Sequence, residues 1–261
     1  MLTELEKNVA SFTKKNELFR SADKILLAIS GGADSIALLH TMQTLKAERL
    51  FTGNFVCAHI NHQLRGSEAD ADEEFVIAQA HSLSLPIETR RIDVRSFARE
   101  NKLSIETAAR QLRLESLLDI AKANNCNCIA TGHQKNDNAE TILQRLARGT
   151  GFRGLGGIRP KRLFADNLRL IRPLLCVSRD EILNYLNERN LKWCVDHTNY
   201  QCTYRRNFIR HLLMPALQAD CKTVLSNNYF LCHNRPGDFT IWSAKRLRKS
   251  GLSSSIAPAT N

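Results

Sequence analysis

The sequence predicts an α/β protein built on a doubly wound parallel sheet. Over the first 150 residues, short apolar runs alternate with longer stretches of helical spacing. The runs, such as KILLAI at 24–29, read as buried strands. Polar clusters rich in Gly, Ser, His, Asn and Asp follow three of them, at the strand ends where such sheets hold their ligands.

The elements follow in order. A strand over 24–29 leads into a helix over 34–49, a strand over 55–60 into a helix over 69–83, and a third strand covers 87–92. A long helix over 104–124 has Ser104 as its N-cap, since a hydroxyl there accepts from an otherwise unpaired N–H. A short strand over 128–131 and a helix over 136–148 complete the pattern. The stretch GTGFRGLGGIRP then places five glycines close together, which requires a flexible or tightly turned loop. Helices over 178–189 and 204–217 follow, the short helical extension of the sheet domain, and 218–261 reads as a weakly structured tail.

Composition excludes several classes. The chain has 261 residues, 43% hydrophobic and 24% charged, an ordinary globular balance. No apolar run reaches the roughly 18 residues of a membrane span, and the polar, acid-containing start reads as neither a secretory signal nor a transit peptide. The expected compartment is the cytoplasm. The eight cysteines include no C-x-x-C pair, and no His is spaced to complete a zinc site, so reduced thiols are expected.

Charge is distributed unevenly. Residues 1–144 carry 17 basic and 19 acidic side chains, whereas 145–213 carry 14 and 5. A basic excess confined to one segment favours a polyanionic partner. The plainer reading is a solvated basic face.

Three motifs carry chemistry. Ser30-Gly31-Gly32-Ala33-Asp34-Ser35 lies between the first strand and its helix. Two glycines let the backbone approach a ligand, and the N–H groups of a helix start cradle phosphate. Asp34 would repel that phosphate unless it holds Mg²⁺. A tight turn with a capping Ser or Asp is the alternative. No Gly-Lys-Ser/Thr follows, so this is not a Walker A loop. The second cluster, His59 to Glu68, begins where the second strand ends, with His59 and Asn61 on the same side of the extended chain. The third runs from Thr131 to Thr141; Asp137 and Glu140, three apart, share a helix face near its start. Two carboxylates there can hold Mg²⁺, bind an ammonium or accept a proton, or cap the helix against its dipole.

SGGADS resembles the SGGxDS loop of the N-type ATP pyrophosphatases, the PP-loop superfamily, whose fold is adenine nucleotide alpha hydrolase-like. The string H-x-N-H-x-L-R-G from His59 to Gly66 is similar to that of the tRNA(Ile)-lysidine synthetases. The third cluster fits that family's T-G-H-x-x-D-D-x-x-E-T at His133, Asp137, Glu140 and Thr141, with Asn136 where the first Asp is usual. Glu106, Ala109, Arg110 and Arg113 fit its E-x-x-A-R-x-x-R helix, and Arg145 to Gly151, including Arg148, fit its Arg-Gly loop. Arg172-Pro173-Leu174-Leu175 with Arg179, then Trp193, Asp196, Asn199 and the Arg205-Arg206-Asn207-Phe208-Ile209-Arg210 element, extend the match from about 24 to 217.

The resemblance implies a catalytic domain over 1–217 and a tail over 218–261 unlike the family's usual tRNA-binding domains. It implies ATP, Mg²⁺ and L-lysine as reactants or cofactors, and tRNA(Ile) with a CAU anticodon as partner. Ser30, Gly31, Gly32, Ala33, Asp34, Ser35, His59 and Asn61 would bind ATP, Asp34 also Mg²⁺. Asp34, His133, Asp137, Glu140 and Arg113 would act in catalysis, and Arg65, Arg110, Arg148, Arg205, Arg206 and Arg210 would contact tRNA. Two rivals stand beside this reading: a tRNA thiolase, which the missing C-x-x-C disfavours, and a nucleotide- or RNA-binding remnant without catalysis. The choice between monomer and homodimer stays open.

Overall fold

A computed structural model describes residues 2–165, 167–195, 208–214 and 216. Helix α1 (Glu4–Lys15) precedes the sheet domain. The first winding runs β1 (Lys24–Ala28), α2 (Ala33–Ala47), β2 (Asn54–Asn61), α3 (Ser67–Ser82) and β3 (Ile87–Arg91). The chain crosses back through α4 (Val94–Glu100) and α5 (Ile105–Ala123) to β4 (Cys128–Ala130) and α6 (Lys135–Ala147). It continues through α7 (Phe152–Leu155), β5 (Lys161–Ala165), β6 (Leu168–Ile171) and α8 (Arg179–Glu188).

The six strands lie in the order β3-β2-β1-β4-β6-β5. Strand order reverses between β1 and β4, which sets the ligand crevice beyond their carboxyl ends. The expected all-parallel sheet needs one correction: β5 runs antiparallel to β6, with Lys161 opposite Ile171. A tight hairpin makes that edge pair, whereas every other pairing needs a helical crossover.

Both faces of the central strands are buried, which explains why β1, β2 and β4 read as near-continuous apolar runs, whereas the edge strands β3 and β5 are mostly exposed. Ile25 and Leu27 of β1 pack with Ile36, Leu39 and Met42 of α2. Leu26 between them packs on the opposite face with Leu117, Ile120 and Ala121 of α5. Caps fix the helix starts. The Ser104 hydroxyl accepts from Thr107 N–H at 3.2 Å, as expected, and Ser178 and Glu181 form a reciprocal box at α8.

Five elements were not read from the sequence: α1, α4, α7, β5 and β6. Helix α1 is anchored by Glu6, fully buried, whose carboxylate accepts from Arg189 at 2.8 Å and Tyr185 at 3.1 Å. The glycine-rich segment is tightly turned: Arg145 Nη1 donates to the Gly154 and Gly157 carbonyls. Within the expected helix over 204–217, residues 208–214 and 216 are helical, with a wide π-type turn at Ile209–Leu213. Its remaining residues and the 218–261 tail lie outside the described residues.

Candidate active site

The crevice is built by three strand ends. After β1, Gly31 takes φ +89°, a left-handed conformation that side chains resist, and turns the chain into α2. Ser35 Oγ donates to the Gly32 carbonyl at 2.8 Å, and Ser30 Oγ reaches Ser35 Oγ at 3.2 Å. The loop is therefore preset by its own hydroxyls, with Ala33 at the first turn of α2. Cys194 lies across it: its N–H donates to the Gly31 carbonyl at 3.0 Å. Its Sγ stands 3.2 Å from where a Gly31 Cβ would be, so glycine also makes room for this segment.

At the end of β2, His59 and Asn61 share a side of the strand as expected, and both are buried. Both are engaged within the protein. His59 Nδ1 bonds to the Ile29 carbonyl at 2.9 Å, beside the PP-loop entry. The Asn61 amide donates to Glu73 at 2.8 Å and to the Ala69 carbonyl at 3.2 Å, while its oxygen accepts from Gln63 N–H. These residues brace the crevice wall. His62 next to them is pushed down to about 4 by burial, then by Arg113, His59 and Arg65. Arg113 of α5 thus faces the β2 end of the crevice.

The third cluster packs directly on the first. A Cβ on Gly132 would stand 3.0 Å from the carbonyl of Asp34 and 3.3 Å from the Ser35 nitrogen. Only glycine lets the two loops meet. His133 Nδ1 bonds to Thr131 Oγ1 at 2.8 Å, which sets the imidazole. Asp137 and Glu140 are both buried on the inner face of α6. Asp137 Oδ2 accepts from Gln134 N–H at 3.1 Å, so it does cap the helix. Asn136 Oδ1 accepts from the backbone N–H of Arg179 at 3.2 Å, and Arg179 pairs with Asp34. Asn138, buried beside them, accepts from Ile158 N–H and holds the glycine-rich turn.

The arginines expected to meet RNA divide. Arg110 and Arg148 are exposed. Arg65 is half-buried in an ion pair with Asp72 at 2.5 Å. Arg205, Arg206, Asp196, Asn199 and the Arg210 side chain lie outside the described residues. Sequence reasoning gave no role to Arg172, a buried arginine directly after β6, nor to Arg179. Arg172 follows a strand that the sequence did not show, and Arg179 opens α8, so only their place in the R-P-L-L match pointed to them.

Residues 1–217 match the PP-loop domain. The chain is 43% identical over 218 residues to a tRNA(Ile)-lysidine synthase of Thermosipho africanus, covering 84% of this chain and 49% of the relative. It is 38% identical to that of Petrotoga mobilis, covering 84% of this chain and 68% of the relative. The chain belongs to the PP-loop family, among the tRNA(Ile)-lysidine synthases. The Bacillus subtilis enzyme of that name is 35% identical over 84% of this chain and 45% of its own. The chain thus spans about half the length of the Thermosipho and Bacillus relatives. Among solved structures, a U34-tRNA thiolase of Methanococcus maripaludis shares the fold, with TM-score 0.71 at 14% identity over 99% of this chain and 82% of its own. Membership of the PP-loop family implies the use of ATP. Among the described residues, no helix is long and apolar enough to cross a membrane.

Proposed function

We propose that the chain ligates L-lysine to C2 of the wobble cytidine of tRNA(Ile) bearing a CAU anticodon, at the expense of ATP, in the cytoplasm. The observation that carries this reading is the close approach of Gly132, just before α6, to the backbone of Asp34 and Ser35, which brings the third cluster onto the first. The names of the similar proteins support the same reaction.

The cytidine O2 attacks the α-phosphorus of ATP, and pyrophosphate leaves into the cradle formed by the N–H groups of Gly32 to Asp34. Mg²⁺ bound at Asp34 would neutralise phosphate charge, and one carboxylate suits an ion that takes its other ligands from phosphate and water. Arg113 would offer a guanidinium fork to the α-phosphate. Asp137 and Glu140 would bind the lysine ε-ammonium, and one would take its proton, since an amine of pKa about 10.4 cannot attack while protonated. The neutral amine then adds at C2, and AMP leaves. His133, set by Thr131, lines the same crevice.

The test is AMP release from labelled ATP with purified chain. Release that requires both lysine and tRNA(Ile) supports the reaction. Release independent of lysine, or none with folded protein, overturns it.

A further inference from the structure

The β6 end of the sheet carries a buried cation that this chemistry does not use. Arg172 follows β6 directly and is only 7% exposed. Its Nη1 donates to the Arg159 carbonyl at 2.6 Å, while its Nε makes no hydrogen bond. The charges that bear on it are those of Arg162 and Arg110, and among the described residues it has no acidic partner. Buried charges are normally paired. The contrast lies within the same fold: Arg169, three residues earlier, pairs with Asp23, and Arg189 pairs with Glu6. Burial, then Arg162 and Arg110, push the Arg172 guanidinium down to about 10.

Geometry gathers these three side chains at one edge. Arg162 lies near the start of β5, opposite Leu170 of β6. Because β5 is antiparallel, its start lies at the carboxyl edge of the sheet, beside the crevice. Arg110 reaches the same place from α5, one turn before Arg113, which faces His62 at the β2 end.

We propose that Arg172, Arg162 and Arg110 form an anion site that takes a phosphodiester oxygen of the RNA substrate. A guanidinium held by a single backbone carbonyl, without an acidic partner among the described residues and flanked by two more cations, leaves positive charge that a phosphate would neutralise. The sheet order places β4 between β1 and β6, so the site lies two strand spacings, about 10 Å, from the PP-loop. Lys161 is held by Glu17, but Arg159 and Arg162 continue the positive edge outward along the exposed surface, which suits an extended polyanion better than a compact nucleotide. The inference rests on the RNA-substrate reading above.

The test is equilibrium binding of an anticodon stem-loop RNA, and separately of ATP, to the full chain over a salt series. Arg162→Ala changes an exposed side chain and should weaken RNA binding about tenfold. It should also reduce the slope of log affinity against log salt by about 0.7–0.9. Arg172→Lys, which keeps the charge and loses the fork, should weaken RNA binding likewise, with ATP affinity unchanged in both variants. RNA affinity and slope unchanged in Arg162→Ala would overturn the site, whatever Arg172→Lys does to folding. Equal losses for ATP and RNA would assign the site to a nucleotide phosphate and overturn the RNA assignment. Because binding is read without turnover, Arg162-dependent RNA binding in a chain lacking lysine-dependent AMP release overturns only the proposed reaction.

Discussion

Arg179, the first residue of α8, donates from Nη1 to Oδ1 of Asp34 at 2.5 Å while its backbone N–H donates to Asn136 at 3.2 Å. One residue thus ties the PP-loop to the start of α6. Helix α8 is rigid enough for that task, capped by its Ser178–Glu181 box and held at its far end by Arg189 on the buried Glu6.

The Arg179–Asp34 pair sits at the crevice surface, with side chains 40% and 30% exposed, so it contributes under about 1 kcal/mol to stability. Arg179→Ala should therefore move the thermal midpoint by no more than about 4 °C. Its effect should appear in ATP use, because the carboxylate loses the group that orients it. KM for ATP is expected to rise, and Asp34→Ala should abolish conversion of ATP to AMP in a folded protein. An Asp34→Ala variant with near-normal turnover would remove Asp34 from the site.

Gly132 offers a steric test of the contact between the two loops. A methyl group there meets backbone atoms of Asp34 and Ser35, which cannot rotate away. Gly132→Ala should cost about 1–3 kcal/mol by overpacking and should weaken ATP binding as the loop shifts. Gly151→Ala is the control, since a Cβ there meets nothing within 4 Å. Thermal melts and ATP titration of the two variants should separate clearly.

Those tests bear on a site that was largely legible in advance. Strands β1, β2 and β4 and the three polar clusters could be read because each of these strands is a run of apolar residues with Gly, His or Asn at its end, whereas β3, IETRR, was legible only from the strand–helix alternation. Strands β5 and β6 escaped for a physical reason. KRLFA is the edge strand, where Lys161, Arg162 and Leu163 are exposed, so it shows no buried run, whereas the internal, mostly buried LRLI is only four residues long and is interrupted by Arg169. Helix α1 was legible in the spacing of Leu5, Val9 and Phe12, all buried, and only the burial of Glu6 needed Arg189 and Tyr185, which arrive from about 180 residues away. The capping role of Asp137 was anticipated as an alternative to catalysis. The geometry shows one oxygen capping, which leaves the carboxylate's chemistry to experiment.

The histidines behind the crevice predict acid sensitivity. His62 stands at about 4 in the fold against an ordinary 6.5, through burial and then the charges of Arg113, His59 and Arg65. The unfolded chain therefore takes up this proton first. The contribution is full above pH 6.5 and is lost as pH falls from there towards 4. His40 and His59 are pushed down as well, mainly by burial, and add to the same slope. Thermal midpoints measured from pH 7.5 to 4 should fall, and His62→Gln should make that fall shallower. An identical profile for the variant would show that His62 titrates normally.

The last prediction concerns the carboxylate of the third cluster. Asn136 stands where the lysidine synthase pattern has an acid, yet its amide oxygen is already used, accepting from Arg179 N–H. An aspartate would accept the same bond, so Asn136→Asp should alter activity only modestly and leave stability within about 0.5 kcal/mol. Asp137 differs. It is buried on the inner face of α6 beside Glu140, and one of its oxygens caps the helix. Asp137→Asn keeps an oxygen for that cap, so its stability loss should stay below the roughly 1 kcal/mol of a lost cap. An amide cannot accept a proton near neutral pH, however. If the carboxylate takes the proton of lysine, the variant should slow lysine incorporation while pyrophosphate release proceeds. If it serves the metal instead, both steps should fall together. Single-turnover kinetics that follow the two products separately decide between these outcomes. Unchanged rates in Asp137→Asn, or a gain of several orders of magnitude in Asn136→Asp, would show that Asp137 does not carry the working carboxylate.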